Sequence, residues 1–159
     1  MESHVIRYAE LSDIPDLINV FESSILLVAR AHYSEAEIEE WLQTKNNITR
    51  WQNAIKEQDV LLAHVSNKVV GFGSLKEHCY IDFLYVDGHH QKRGIAQSIL
   101  DALITNARKV GVSIITSDVS ITARPFFERN GFKVVKQNHN KRGKEVLVNF
   151  TMQLDLPSA

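Results

Sequence analysis

In the stretch Gln91-Lys92-Arg93-Gly94-Ile95-Ala96, two adjacent cations precede a glycine and an alanine just where an apolar repeat of helical spacing begins. Small residues at a helix start let backbone N–H groups approach an anion, and Lys92 and Arg93 add charge at the same place. Helix polarity contributes only about 0.3–1 kcal/mol per interaction. Selective binding of a phosphate therefore needs several N–H groups acting with the cations. Gly-x-Ala alone is equally compatible with a structural turn. Two better-known phosphate loops are excluded. The chain has no Gly-x-x-x-x-Gly-Lys-Ser/Thr, and Gly71-Phe72-Gly73 is followed by Lys76 where a third glycine is required.

A second set of reactive groups precedes this loop. In the β-rich run 79–86, regular alternation puts Tyr80 and Asp82 on the same face as Leu84 and Val86. A phenol and a carboxylate there are candidates for taking a proton, directly or through water, or else are simply tied into strand packing. Glu77 and His78, just before this run, either border the same cleft or form a solvated turn. Cys79 has no flanking motif for nucleophilic catalysis and reads as an ordinary buried thiol. The seven histidines show no ligand spacing, with His89-His90 adjacent and the others scattered, so no metal is expected. Lys141, Arg142 and Lys144 cluster without interleaved aromatics, which argues for a solvated loop over a nucleic-acid platform.

The elements that must position these groups are legible from period and punctuation. Val5 to Tyr8 reads as a short strand, and Ser12-Asp13-Ile14-Pro15 opens a helix over 13–29 with Ile14, Leu17, Ile18, Phe21, Ile25 and Val28 on one face. Ser34 and Glu37 form a capping box for a second helix carrying Ile38, Trp41 and Leu42. Residues 59–66 and 68–75 predict an antiparallel hairpin, and 79–86 a further strand. The basic loop follows, then a helix on Ile95, Ile99, Leu103, Ala107 and Val110. A buried strand over 112–119, a short helix over 122–129 stopped by Asn130-Gly131, and a hairpin of 132–137 with 145–154 complete the order.

A length of 159 residues and a near-average composition predict one domain over 1–159 with its own core. The formal net charge of −1 gives no global attraction to nucleic acid or to an anionic membrane. A single cysteine excludes an internal disulfide and fits a reducing compartment. Met1-Glu2-Ser3-His4 lacks the features of a leader, and no apolar run reaches the roughly 20 residues of a membrane helix. A cytoplasmic protein is expected.

The strand ending at Val86, the loop Gln91-x-x-Gly94-x-Ala96 and the later Ala123-x-x-Phe-Phe-x-x-x-Gly131-Phe132 resemble the two signature regions of GNAT N-acetyltransferases, and the element order agrees over nearly the whole chain. The resemblance implies a mixed α/β fold: a central, mostly antiparallel twisted sheet of about seven strands flanked by about four helices and splayed between strands four and five. It implies acetyl-CoA as co-substrate, with no metal. Pantetheine would meet Tyr85 and Val86, and the pyrophosphate Gln91, Lys92, Arg93, Gly94, Ile95 and Ala96. The family's tyrosine on the short helix is replaced by Phe127, and the asparagine before that helix by Ser120. Acetyl transfer to a small-molecule or protein amine is expected, polarised by a backbone N–H near Val86, with Asp82 or Tyr80 as proton acceptor.

The acidic stretch 32–41 lies where such proteins vary their acceptor contacts, and would either suit a cationic acceptor or be the wet face of a helix. Phe127 motivates an alternative, an idle acyl-CoA-binding module. A nucleic-acid-binding domain using residues 141–144 is a third reading. Many relatives dimerise, and a homodimer paired through the last hairpin is compatible with the pattern.

Overall fold

The computed structural model describes residues 3–157; Met1 and Glu2, half of the stretch read for a leader, lie outside them. The elements are β1 Val5–Tyr8, α1 Ile14–Leu27, α2 Glu35–Leu42, α3 Ile48–Glu57, β2 Asp59–Val65, β3 Lys68–Lys76, β4 Tyr80–Val86, α4 Ile95–Lys109, β5 Ile114–Ser120, α5 Arg124–Arg129, β6 Lys133–Arg142 and β7 Glu145–Asp155. One seven-stranded sheet runs in the order β1-β2-β3-β4-β5-β7-β6. Its neighbours are antiparallel except β4 and β5. That parallel pair needs a crossover, which α4 supplies.

The central strands are buried on both faces, which is why β2 and β3 read as nearly continuous apolar runs. On one face Leu61, Ala63, Leu75 and Ile81 pack with Ile99, Leu100 and Leu103 of α4. On the other Val60, Leu62, Phe72 and Phe83 meet Leu17, Phe21 and Ile25 of α1 and Trp51 of α3. Trp51 stacks on Phe83 with ring centroids 5.0 Å apart.

Helix α3 is the element the sequence reading lacks. Asn47 caps it by accepting the Arg50 N–H, and its apolar face of Trp51, Ala54 and Ile55 spans only two turns. The second departure is in the last hairpin, where strand pairing runs on to Arg142↔Glu145 and leaves a two-residue turn. The added stretch is polar, held by Asn138 donating to Asn149 and Thr151 and by Asn140 donating to the Leu147 carbonyl.

Two glycines on β3 let α4 sit directly on the sheet. A Cβ on Gly73 would lie 2.7 Å from Ile99 Cγ2 and 3.1 Å from Leu103 Cδ1, and one on Gly71 2.9 Å from Ile95 Cγ2. Gly71-Phe72-Gly73 is thus a close-packing device. Overpacking a well-filled core costs about 1–3 kcal/mol, so Gly73→Val is expected to lower the unfolding free energy by that amount, seen as a lower urea midpoint at unchanged m-value. An unchanged midpoint would show that α4 does not rest on this strand.

Candidate active site

Strands β4 and β5 pair only at Tyr80↔Thr116 and Ile81↔Ser117. The contact ends where the Ser117 hydroxyl donates to the Ile81 carbonyl at 2.8 Å, and beyond it the strands diverge. A bulge sits beside this point. The β3–β4 register shifts between Ser74 and Leu75, leaving Asp82 without a strand partner. The bulge also breaks the side-chain alternation. Leu84 and Val86 join the α4-side core, while Asp82 turns to α3 and Phe83 and Tyr85 to the α1 side. The expectation that Asp82 shares a face with Leu84 and Val86 is therefore corrected.

Past the bulge, Asp87 N–H donates to the Val70 carbonyl at 2.8 Å. In an antiparallel ladder the bonded side alternates by residue, so Tyr85 bonds β3 while the main-chain groups of Leu84 and Val86 face the gap. The Val86 carbonyl accepts from the Gln91 side-chain amide at 2.8 Å. Gln91 thus folds back to tie the loop to the strand end. The Val86 N–H remains directed into the split.

The loop to α4 is held from beneath by a buried carboxylate. Asp87 accepts from the Ser23 hydroxyl and from His90 Nδ1 at 2.6 Å, and Ser23 Oγ also accepts the Gly88 N–H at 2.9 Å. Burial works to raise the Asp87 pKa, but the hydrogen bonds from Ser23 and His90 outweigh it and hold the carboxyl below its ordinary value. Further along, Lys92 and Gly94 have left-handed φ of 60° and 77° on either side of Arg93. The first α4 amide to bond back is Ser98, to the Gly94 carbonyl at 3.0 Å. The N–H groups of Ile95, Ala96 and Gln97 are left without intrahelical acceptors, and no side chain caps the helix. A Cβ on Gly94 would meet nothing within 4 Å, so the approach to these amides is open.

Two clefts open from the split. The first, about 660 Å³, is bounded by Ser24, Val28 and Ala29 from α1 and its end, Leu84 to Val86, His90 to Lys92, Gly94 to Gln97, and Ser120 with Phe126, Phe127 and Arg129 on the α5 side. The second, about 390 Å³, is bounded by Tyr33, Trp41, Arg50, Tyr80, Asp82, Asp118 and the hairpin residues Asn140 to Arg142 and Leu147 to Asn149. Trp41, Leu84, Tyr85, Ser120, Ala123 and Phe127 line both. A long ligand in the first can therefore present one end to a small ligand in the second.

Of the residues singled out in the sequence, Tyr85, Val86, Gln91, Lys92, Gly94, Ile95, Ala96, Ser120 and Phe127 line the first cleft, whereas exposed Arg93 does not. Ser120 Oγ accepts the Ala123 N–H at 3.0 Å, and Phe127 packs edge-on against Phe132 at 5.0 Å. Tyr80 and Asp82 line the second cleft. Asp82 already accepts three N–H bonds, two from the Arg50 guanidinium at 3.2 and 3.3 Å and one from Gln58 at 2.8 Å, and Arg50 lies 4.5 Å over the Phe83 ring. The Tyr80 phenol donates to Asp118 at 3.2 Å, and burial together with that carboxylate pushes its pKa well above the ordinary value. Burial likewise pushes Tyr85 up to about 12.

Glu77, His78, Glu35, Glu37, Glu39 and Glu40 line neither cleft. His78 instead lies 3.7 Å from Asp59 in the β3–β4 turn, and Glu35 and Glu39 face solvent. Sequence reasoning missed Arg129, the α5-side cation on the first cleft, and Asp118 on the second, whereas Tyr33 and Trp41 of the 32–41 stretch do line the second. The Tyr33 hydroxyl donates to the Val148 carbonyl at 2.6 Å and accepts the Ile121 N–H at 2.9 Å. Alternation on β5, with Ile115, Ser117 and Val119 buried, marked Asp118 as facing away from the core. Among the described residues no group of three or more His, Cys, Asp or Glu is arranged to hold a metal, and no helix is long and apolar enough to cross a membrane.

Residues 29–156 match the family model described as an acetyltransferase (GNAT) domain. The chain is 36% identical over 153 residues to the uncharacterised N-acetyltransferase YafP of Escherichia coli (strain K12), covering 96% of this chain and 97% of that one. A GCN5-related N-acetyltransferase structure from Rhodopseudomonas palustris superposes with a TM-score of 0.93 at 29% identity, covering 98% of each chain. The PaiA N-acetyltransferase of Thermoplasma acidophilum, solved in complex with coenzyme A, has a TM-score of 0.79 at 23% identity over 97% of this chain and 99% of that one.

The Asp87 cluster makes the loop sensitive to acid. A carboxyl held below its ordinary pKa contributes stability fully above about pH 4, and the contribution is lost as pH falls through the lower folded value. Asp87→Asn is expected to cost about 1.5–3 kcal/mol at pH 7. In thermal melts from pH 7 to pH 2 the gap between wild type and variant should narrow in acid. A constant gap would contradict the assignment.

Proposed function

The chain belongs to the GNAT acetyltransferase family, and from that premise we propose that it moves an acetyl group from acetyl-CoA directly to an amine, with both bound in the split at once. The observation that carries this reading is the set of uncapped N–H groups of Ile95, Ala96 and Gln97, reached over an open Gly94 and lying in one cleft with the Val86 strand end. These amides, with Lys92 and Arg129 on the same cleft, suit a pyrophosphate. The main chain of Leu84 and Val86 suits an amide-bearing arm that pairs like a strand. The Thermoplasma acidophilum neighbour's coenzyme A supports the same class of ligand.

Acetyl-CoA, when bound, supplies an acetyl group activated as a thioester. The Val86 N–H acts as the donor that stabilises charge developing on a carbonyl oxygen at the junction of the clefts, a contribution that depends on its being fixed in advance. An acceptor amine with a solution pKa of about 10.4 must lose a proton before it can attack. Tyr80 donates to Asp118, so the phenol oxygen takes the amine's proton as its own proton moves to the Asp118 carboxylate, which faces solvent. Asp82, saturated by Arg50 and Gln58, acts as a positioning residue.

Phe127 has no proton to give a departing thiolate. Tyr85, the phenol lining both clefts and held protonated by burial, takes that part, or the sulfur leaves as thiolate. The same Phe127 favours the second reading, an acyl-CoA-binding module without turnover.

Calorimetric titration with acetyl-CoA, followed by free-thiol release over a panel of amines, separates these readings. Wild type is expected to bind saturably and to release CoA only when an acceptor is present. At φ 77°, replacing Gly94 costs about 1–2 kcal/mol in backbone strain, and Gly94→Glu adds negative charge beside the amides. That variant should bind at least about tenfold more weakly (~1.4 kcal/mol) while still melting cooperatively. Binding without acceptor-dependent release would favour the idle module, and no binding by folded wild type would remove the acetyl-CoA reading.

A further inference from the structure

Charge in the second cleft is unevenly paired. Its lining contains the cations Arg50, Lys141 and Arg142 and the carboxylates Asp82 and Asp118. Arg50 and Asp82 neutralise one another through their two-pronged contact at 3.2 and 3.3 Å. Asp118 is held by neutral donors alone, the Tyr80 and Thr151 hydroxyls and the Asn138 amide. Among the described residues neither Lys141 nor Arg142 forms an ion pair. Arg142 donates only to the Thr44 hydroxyl, at 3.4 Å. Two carboxylates lie nearby, Glu40 against Gly143 at the turn and Glu145 opposite Arg142 in register, yet both leave these cations unpaired.

The cleft therefore has a carboxylate near the point where β4 and β5 part, and two unpaired cations on the hairpin that closes its other side. A ligand matching both ends bears an amine and, away from it, a negative charge. Resting on the acetyl-transfer reading above, we infer that the acceptor is an amine carrying an anionic group, a carboxylate or a phosphate-type acid, and that Lys141 and Arg142 bind that group. A polyamine would set positive charge against both cations, with Asp118 the one lining carboxylate not already paired with a cation. The extension of β6 to Arg142 thus forms part of the acceptor site, in place of the solvated loop expected from the sequence.

The test pairs acids with their neutralised counterparts: L-phenylalanine and its methyl ester, L-glutamate and its dimethyl ester, with aminomethylphosphonate and spermidine alongside. Thiol release and the mass of the acetylated product are read together. Esterification lowers the amine pKa and so raises the fraction of free nucleophile, which means that reactivity alone favours the ester. The expected result is a kcat/KM at least tenfold higher for an acid than for its ester, or turnover of the aminophosphonate. The exposed-site double variant Lys141→Gln, Arg142→Gln should raise KM for that acid at least tenfold, with kcat and acetyl-CoA affinity little changed. Preference for esters or spermidine, or a double variant with unchanged KM, would overturn the assignment. So would turnover of no acid on the panel by protein that binds acetyl-CoA. Failure to bind acetyl-CoA would instead remove the acetyl-transfer reading, and this inference with it.

Discussion

The site depends on a parallel strand pair that is allowed to fail. β4 and β5 share only two residue pairs, after which the sheet opens along its middle. Opening a sheet leaves main-chain donors and acceptors unpaired, and buried groups of that kind cost free energy unless something else meets them. Each part of the break has a local device. The Ser117 hydroxyl closes the last rung, the bulge at Asp82 turns a carboxylate out of the ladder, and the Gln91 side chain occupies the Val86 carbonyl. What remains toward the gap is chiefly the edge of Leu84 and Val86. An edge in that state is a template for another extended chain, and here the neighbouring helix start faces the same space.

The surroundings of the break are correspondingly well packed. α4 sits on the backbone of β3 because Gly71 and Gly73 present no side chain to it, which fixes where its first amides point. The Asp87, Ser23 and His90 cluster ties the loop to α1, and Trp51, Phe72 and Phe83 pack the opposite face. The last hairpin leans back over the opening, with Arg142 touching Thr44 and the Gly143 turn meeting Glu40. The result is two clefts with a common wall.

Much of this architecture was legible in the sequence because its core elements carry clean periods. The α1 stripe, the Ser34–Glu37 capping box and the Ser66-Asn67 turn, whose two residues adopt φ of 49° and 67°, each have a local physical cause. Helix α3 escaped because its apolar face is only two turns long and Arg50 interrupts it with a charge whose partner, Asp82, is 32 residues away. The polar end of β6 escaped because its pairing rests on asparagine side chains rather than on alternation. In the site, the loop of residues 91–96 was legible as a contiguous motif, whereas Asp118 and Arg129 meet their clefts only through the tertiary fold. The bulge at Asp82 has no signature in a run as regular as Tyr-Ile-Asp-Phe-Leu-Tyr-Val, and it reverses the face that simple alternation assigns.

The decisive property is whether the opened strand edge and the helix start receive one ligand together. Residue-resolved amide hydrogen exchange, with and without saturating acetyl-CoA, measures this directly. Raised protection is expected at Leu84, Val86, Ile95, Ala96 and Gln97, with the β1–β2 amides unchanged. Protection gained elsewhere, with Val86 and the α4 amides exchanging as before, would contradict it.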